Sequence, residues 1–464
     1  MKKEIPENFI GYIDLQGRGD GEYDCFYSID GFRISILPKN DEAKQYISTI
    51  LNTWRGSVAL NKWVFGEIPL GGKVAFYVHE LLSNSSIPQD GILYFYTSIM
   101  LMGGSDANIS TFEKIIFSGG IVEVIYPTAK AEKDSTNLKA HEDYTKNFSM
   151  CVENESIQVT LSVAVITGSS RNRIADRSKS YSYLSFGFSF PKHLDELTKY
   201  YTYARTIFGF LSFTRNTLFD TSVRTTSTAR DGYVSVQTKI SDGFVDYSND
   251  TVDSMMKIID IEKLTPNISQ LFEVLYHEYL LFLPNQNKDQ NLIYHHNIVD
   301  VCSGLEREFK KLGNRLPATE QNILDDAKSL HSDILDLIKN RACDDRVKVK
   351  ASNLIGGLKN FQPSAKEKIM AIYTKFYGIM NFIANIGVNF PDDSFEREMS
   401  KFINLRNDVA HDKEIILDGK VSIYKHLVLL IYISVLHRAN YDDESIKKIL
   451  EYPFNYLRRS QYGY

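Results

Sequence analysis

Residues 157–165 read Ile157-Gln158-Val159-Thr160-Leu161-Ser162-Val163-Ala164-Val165, and this stretch decides the fold class of the first half of the chain. Large apolar side chains alternate with polar or small ones, which is the period expected of a strand with one buried face. The same pattern recurs in Leu184–Phe190. We therefore predict a strand-rich amino-terminal domain.

Further strands are predicted between turns rich in Gly, Asn, Asp and Pro. They cover Cys25–Leu37, Lys73–His79, Ile92–Met102, Lys114–Tyr126 and Tyr233–Ile240. One helix interrupts the strands, because six apolar residues recur with helical spacing: Leu194, Leu197, Tyr201, Ala204, Phe208 and Leu211.

The pattern becomes helical after about residue 250. Apolar rows with helical spacing predict amphipathic helices of a bundle: Ile298, Cys302, Leu305 and Phe309, then Ile323, Ala327, Leu330, Ile334 and Ile338, then Ile369, Ile372, Phe376, Met380 and Ile383. The last three helices are expected at Asp393–Asn407, Val421–Arg438 and Asp443–Leu457. Helix starts are indicated by Thr265-Pro266 and by capping-box spacing at Ser364 with Glu367 and at Asp393 with Glu396. The fold class predicted is α+β, with domains at 1–250 and 251–464.

Composition describes an ordinary globular chain. It has 464 residues, of which 43% are hydrophobic, and a net charge of -5, so no global basic field attracts nucleic acid. The four Cys lack CxxC spacing, which argues against zinc and against a disulfide framework. The longest apolar run, Leu427–Leu436, is shorter than the roughly 20 residues that cross a bilayer. We expect a cytoplasmic protein without membrane contact, metal or cofactor.

Neither a phosphate-binding loop nor a metal site is supported by the sequence, but one basic loop is a candidate for RNA binding. Gly66–Lys73 resembles a phosphate loop, but Val74 stands where a Mg²⁺-binding hydroxyl is needed. His295, His296 and Asp300 are too few to complete a metal shell. Four positive charges lie close together between two predicted strands, which makes them candidate RNA contacts: Arg171, Arg173, Arg177 and Lys179.

The candidate chemistry lies in Arg406-Asn407-Asp408-Val409-Ala410-His411. Cleavage of RNA by its own 2′-hydroxyl needs a proton carrier and a cation for the crowded phosphorus. The imidazole of His411 can carry a proton near neutral pH, and the Arg406 guanidinium offers a rigid fork to phosphate oxygens. Asn407 can orient the imidazole or bind a phosphate oxygen. The plainer interpretation is that Arg406 and Asn407 cap helix carbonyls and His411 lies on the surface.

Helical geometry restricts how Arg406 and His411 can cooperate. Five residues turn a helix by about 500°, which leaves the two side chains about 140° apart around the axis. Either the helix ends near Asn407 and the chain folds His411 back, or two subunits complete the site. Geometry alone leaves both arrangements open.

The motif at a capped helix end resembles the HEPN superfamily, and Leu405-Arg406-Asn407 to Ala410-His411 looks like the ApeA-type antiphage proteins. The resemblance extends to Glu306, a candidate supporting acid, and to a helix ending in Phe210-Leu211-Ser212-Phe213 within the strand-rich domain. It implies a HEPN endoribonuclease domain behind an ApeA-like sensing or regulatory domain. It also implies a homodimer, or a higher even-numbered oligomer, formed through the carboxy-terminal bundle, in which two such motifs meet in one cleft.

The function expected from the resemblance is metal-independent cleavage of host RNA, most plausibly tRNA, in antiphage defence by abortive infection. The products would carry 2′,3′-cyclic phosphate ends, and a phage-derived trigger would release the activity. The alternative is a non-catalytic dimeric sensor or interaction protein that uses a HEPN-like bundle as a scaffold.

Overall fold

The computed structural model describes a strand-rich amino-terminal unit and a helical carboxy-terminal unit, an α+β architecture. The described residues are 7–14, 23–54, 62–68, 72–81, 92–105, 107–131, 138–140, 145–166, 179–215, 217, 219–226, 233–240, 258–278, 280–284, 293–313, 321–359, 363–391, 394–410 and 421–459. The strand-rich unit holds Met1–Ser212 and Asn216–Thr251, and the helical unit holds Phe213–Arg215 and Val252–Tyr464.

The strands pair with their neighbours in antiparallel register throughout the described part of the first unit. They are β1 Asn8–Asp14, β2 Tyr23–Asp30, β3 Arg33–Pro38, β4 Lys62–Ile68, β5 Gly72–Leu81, β6 Leu93–Gly103, β7 Thr111–Ser118, β8 Ala129–Ala131, β9 Leu138–Ala140, β10 Lys146–Val152, β11 Glu155–Ile166, β12 Lys179–His193, β13 Asp220–Thr226 and β14 Tyr233–Ile240. Three helices accompany them: α1 Asp41–Trp54, α2 Ile121–Ile125 and α3 Leu197–Ser212.

Twelve of these strands form one sheet in the order β10-β11-β12-β7-β13-β14-β6-β3-β2-β1-β4-β5. Strand β5 also pairs with β6, so six strands close into a ring. The interior of the ring is filled by apolar side chains such as Ile13, Ile34, Val64 and Phe76, each with no exposed area. Closing the ring removes the free edges of those six strands.

The predicted alternation in residues 157–165 is confirmed. It lies in β11, where Ile157, Val159 and Leu161 are at most 2% exposed while Gln158 points to solvent. The prediction for Leu184–Phe190 is confirmed as strand, since the stretch lies in β12. Its alternation fails at the end, where Phe190 is 77% exposed beside a register shift between Gly187 and Lys192.

Two predicted strands are wrong in extent, and glycines explain both. Cys25–Leu37 is a hairpin of β2 and β3, because Gly31 adopts a φ of 60° in the turn. Lys114–Tyr126 leaves the sheet at Ser118, where Gly119 and Gly120 both have positive φ and α2 follows. A side chain is strained in that conformation, so glycine permits the reversal.

The helical unit contains nine α-helices in its described residues: α4 Ile268–Tyr276, α5 His295–Leu312, α6 Gln321–Asn340, α7 Asp345–Lys359, α8 Ala365–Ala384, α9 Ile386–Asn389, α10 Ser394–Ala410, α11 Val421–Arg438 and α12 Asp443–Leu450. Helix α5 packs against α8, α10 and α11 and so occupies the centre of the bundle. Helix α11 is buried on all sides, with Leu427, Leu430, Ile433 and Leu436 at most 3% exposed.

The predicted helix boundaries hold in part. The capping box at Ser364 is confirmed: Glu367 N donates to Ser364 Oγ at 3.2 Å and Ser364 N donates to Glu367 Oε2 at 2.7 Å. Pro266 lies inside a 3-10 helix, Ile261–Asn267, and the α-helix begins only at Ile268. Helix α12 ends at Leu450 instead of Leu457, ahead of Pro453, which has no N–H for a continuing helix. Asp393 lies outside the described residues.

Replacing Ser364 with Ala is expected to lower the free energy of unfolding by about 1 kcal/mol, because the first turn of α8 loses its side-chain acceptor. Urea denaturation followed by circular dichroism measures the change. Ser332→Ala, at an exposed position inside α6, is the matched control and should be neutral or slightly stabilising. Equal losses for the two variants would contradict a capping role.

Candidate functional site

Arg406 continues the apolar stripe of α10 that faces the bundle. Phe395, Met399 and Phe402 are each at most 2% exposed, and Arg406 follows them at the same spacing of three and four residues. Helix α10 contacts α5, α8 and α11, and the Phe395 ring stacks on Tyr373 of α8. Arg406, which is always charged, therefore occupies a position where the spacing of the stripe predicts an apolar side chain.

The Arg406 guanidinium is held by two neighbours. Nη1 donates to Asn407 Oδ1 at 3.2 Å, and Nη2 lies 3.7 Å from Glu306 Oε1 on α5. Nε is buried and has no hydrogen-bond partner among the residues that the structure describes. The side chain is nevertheless 30% exposed. The cation is therefore oriented, while part of it stays accessible and one donor is unused.

Glu306 and Cys302 lie one turn apart on α5, and both lie close enough to Arg406 to interact with its charge. Glu306 is 27% exposed, and the 3.7 Å separation is longer than a hydrogen bond, so this ion pair is loose. Burial raises the pKa of the Cys302 thiol to about 12, against the opposing effect of Arg406. Cys302 is accordingly a packing residue, and the polar character of the site rests on Glu306, Arg406 and Asn407.

The remaining candidates lie elsewhere or outside the described residues. His411 lies outside them, as do Arg171, Arg173 and Arg177. Lys179 is the first residue of β12, and its side chain is not described. The structure therefore brings together Arg406, Asn407 and Glu306 out of the sequence-derived set.

The predicted end of the helix at Asn407 is three residues short, and both arrangements considered for Arg406 and His411 stay predictions, because His411 lies outside the described residues. Helix α10 does not end near Asn407, because it continues through Ala410. Asn407, Asp408 and Val409 are thus helical.

The sequence reasoning missed a second set of charges in the same bundle. Arg438, the last residue of α11, donates from Nε to Glu308 Oε2 at 2.9 Å and from Nη2 to Glu308 Oε1 at 3.0 Å. Arg438 Nη2 and Lys311 Nζ each lie 2.5 Å from Glu278 Oε1. Burial raises the pKa of Glu308, and attraction to Arg438 opposes that rise. The sequence did contain a signal for this buried ion pair: Glu308 lies on the apolar face of α5, three residues after Leu305 and four before Leu312.

The described residues offer neither a metal site nor a membrane-spanning helix. They contain no group of three or more His, Cys, Asp or Glu side chains that could hold a metal ion. They also contain no helix with the length and apolar character needed to span a membrane. The Gly66–Lys73 stretch connects β4 to β5 and not a strand to a helix, as a phosphate loop would.

No protein-family model, curated protein or solved structure matches the chain. The geometry and chemistry of the residues themselves therefore carry the functional argument.

Replacing Glu308 with Ala is expected to lower the free energy of unfolding by about 3 kcal/mol, because a buried Arg438 loses its bidentate partner. Replacing both residues with Met should recover part of that loss. Urea denaturation provides the measurement. Glu444→Ala is the matched control, since Glu444 is 73% exposed in its pair with Lys447. A loss as small as that of the control would mean that the buried pair contributes nothing.

The four cysteines are expected to separate into two classes toward a thiol reagent at pH 8. Burial raises the pKa of Cys25 and of Cys302 to about 12, so only about one molecule in ten thousand carries either thiolate. Cys151 and Cys343 are exposed. Titration with Ellman's reagent should count two fast thiols in the native protein and four in urea. A third thiol that reacts as fast as the first two would refute the burial of Cys25 or Cys302.

Proposed function

We propose that the protein is a metal-independent RNA endonuclease and that Arg406, Asn407 and His411 form its catalytic set. The observation that carries the proposal is the state of Arg406: a cation on a buried stripe, oriented by Glu306 and Asn407, with a buried unused Nε and an accessible end. A buried N–H without an acceptor costs about 1–3 kcal/mol. Because Nε itself has almost no accessible area, a ligand oxygen would bind the exposed part of the Arg406 side chain.

A phosphodiester supplies such oxygens. A guanidinium can donate two parallel hydrogen bonds to a phosphate, and it stays charged at every physiological pH. In cleavage by the adjacent 2′-hydroxyl, negative charge grows on the non-bridging oxygens, and a fixed cation stabilises that charge. Arg406 fits this role better than the role of a proton carrier.

His411 supplies the proton transfer in this proposal. Its neutral imidazole takes the 2′-hydroxyl proton as the P–O2′ bond forms, and the resulting imidazolium returns a proton to the 5′-oxygen as the P–O5′ bond breaks. The products are a 2′,3′-cyclic phosphate and a 5′-hydroxyl. Asn407 orients Arg406 through the 3.2 Å contact. Glu306 positions Arg406 without touching the substrate.

We further propose that this activity serves antiphage defence by abortive infection in the cytoplasm. Here the resemblance to HEPN and ApeA-type proteins is the support. The RNA proposed is host tRNA, because exposed single-stranded loops allow the in-line attack that a duplex denies. The strand-rich unit would respond to a phage-derived trigger, and a homodimer would be the active form.

Purified protein incubated with total tRNA in EDTA, with and without extract of phage-infected cells, is expected to yield fragments with 2′,3′-cyclic phosphate ends. Arg406→Ala and His411→Ala should each lower the cleavage rate by at least about a hundredfold, because each removes one transition-state contribution. Arg406→Lys should restore little, since an ammonium lacks the fork. Gel analysis and end mapping provide the measurement.

Lys401→Ala is the matched control. Lys401 lies on α10 as Arg406 does, but it is 58% exposed and pairs with Glu398. It should cleave like the wild-type protein. If wild type and variants leave the RNA equally intact under all conditions, the nuclease proposal fails and a non-catalytic interaction protein becomes the better explanation.

A further inference from the structure

Helix α5 has a buried side and a side that reaches solvent. Leu305, Glu308 and Leu312 lie on the buried side, which packs into the bundle. The other side carries residues that recur every three or four positions and that we call the outer face of α5: His295, Val299, Ser303, Glu306 and Lys310. Its two end residues are exposed, and the three between them are half-buried. The outer face is about 22 Å long.

The outer face is continuous with the candidate site. Arg406 Nη2 lies 3.7 Å from Glu306 Oε1, so the guanidinium lies beside this face. Glu306 is the one acidic residue of the outer face, and Arg406 and Lys310 are two cations against it. Asp300 also lies on the solvent side of α5, but about 80° around the axis from Lys310. The charge around Arg406 therefore favours an anionic ligand.

Lys310 and Lys311 are neighbours in sequence but have different surroundings. Lys311 Nζ lies 2.5 Å from Glu278 Oε1, on the side of the buried ion pair. Lys310 lies one turn after Glu306 and about 40° around the axis from it. It is exposed and makes no ion pair among the residues that the structure describes. A lysine ammonium binds phosphate as a point charge, so Lys310 can hold a phosphate close to Arg406.

An aromatic pair lies at the other end of the outer face. The rings of Tyr294 and His296 are parallel within 8°, and their centroids are 5.6 Å apart. Tyr294 is 44% exposed. Its backbone N donates to Oδ1 of the buried Asn297 at 3.1 Å, which fixes the backbone that carries the ring. Exposed rings of this kind support the bases of single-stranded RNA.

Given the proposed nuclease function, on which this inference rests, we propose that the outer face of α5 binds a single-stranded segment of the RNA. Lys310 holds a phosphate and the Tyr294–His296 pair stacks on a base, on either side of Arg406. The two contacts are about 24 Å apart along the helix. A stacked strand covers that distance in about seven nucleotides, and an extended strand in fewer.

The composition of the outer face favours RNA over a protein partner. Val299 is its one aliphatic side chain, so it offers little apolar area to bury. The centre of a protein interface is apolar and depleted in charge. Cations beside exposed rings are instead the elements of single-strand binding sites. A duplex fits less well, because its bases stack on each other and cannot lie on the Tyr294 ring.

Fluorescence anisotropy with a labelled single-stranded 2′-O-methyl RNA tests the phosphate contact, because this probe has no free 2′-hydroxyl and is not cleaved. Lys310→Ala should weaken binding several-fold. It should also lower the slope of log affinity against log salt concentration by about 0.7, the value for one phosphate contact on a single strand. Lys310→Arg should keep the wild-type slope.

Lys311→Ala is the matched control for Lys310→Ala. It removes the same charge one residue further along α5, where the ammonium pairs with Glu278, so the slope should stay at the wild-type value. Circular dichroism checks that both variants keep their helices. Equal slopes for the two variants would overturn the phosphate contact.

The same probe tests the base contact. Tyr294→Ala should weaken binding about tenfold, because one stacked base is lost, and Tyr294→Phe should bind like the wild type. Tyr452→Ala is the matched control, since Tyr452 is 55% exposed and lies outside α5. A duplex of the same sequence should bind Tyr294→Ala and wild type equally. If Tyr294→Ala binds the single strand as the wild type does, the base contact is wrong.

Cleavage of tRNA separates failure of the outer face from failure of the nuclease. If the wild type cleaves and both alanine variants bind and cleave like it, RNA does not follow the outer face, while the nuclease function stands. If the probe binds through Lys310 and Tyr294 but no RNA is cleaved, the surface stands and the nuclease function fails. A wild type that neither binds nor cleaves RNA overturns both.

Discussion

Two of the three carboxylates of helix α5, Glu306 and Glu308, each face an arginine from a different helix. Glu308 is 2% exposed and holds Arg438 of α11 through two hydrogen bonds, whereas Glu306 is 27% exposed and lies 3.7 Å from Arg406 of α10. Both side chains of the first pair are largely buried, so removing one partner would leave the other charge buried without a counter-ion. The second pair is longer than a hydrogen bond and partly exposed to solvent, so it orients the Arg406 guanidinium at little energetic cost. Part of that guanidinium can still bind a ligand. Burial alone thus separates a structural pair from a candidate functional one.

Local patterns predicted much of the fold. The alternation at Ile157–Val165, the helical row of α5 and the capping box at Ser364 each depend on residues close together in sequence, and each recurs in the structure. Closure of the six-stranded ring did not follow from sequence, because the β5–β6 pairing depends on the twist accumulated by all six strands. The turns at Gly31 and Gly119 were visible as glycines, but their positive φ was not.

The candidate site was predictable to a smaller degree. Arg406 is conspicuous at the end of a stripe of Phe395, Met399 and Phe402, and that spacing alone places it toward the bundle. Its neighbour Glu306 is 100 positions away in sequence, so their proximity depends on how α10 packs on α5. The pairing of Glu308 with Arg438 could not be predicted either, because it depends on how α11 packs on α5. Sequence patterns report which face is buried, but the partner across the interface is set by tertiary packing.

The length of α10 bears on how a complete site could be assembled. Arg406 lies at the end of the buried stripe of α10, beside Glu306 of α5, and the helix continues through Ala410, one residue before His411. Each residue of a helix is rotated by about 100° around the axis from the one before it. The directions of residues 407–410 are therefore fixed relative to Arg406, and the backbone can change direction only after Ala410. A site within one chain therefore requires the backbone to reverse after Ala410. A two-fold site has no such requirement, since the His of one copy needs only to approach the Arg of the other.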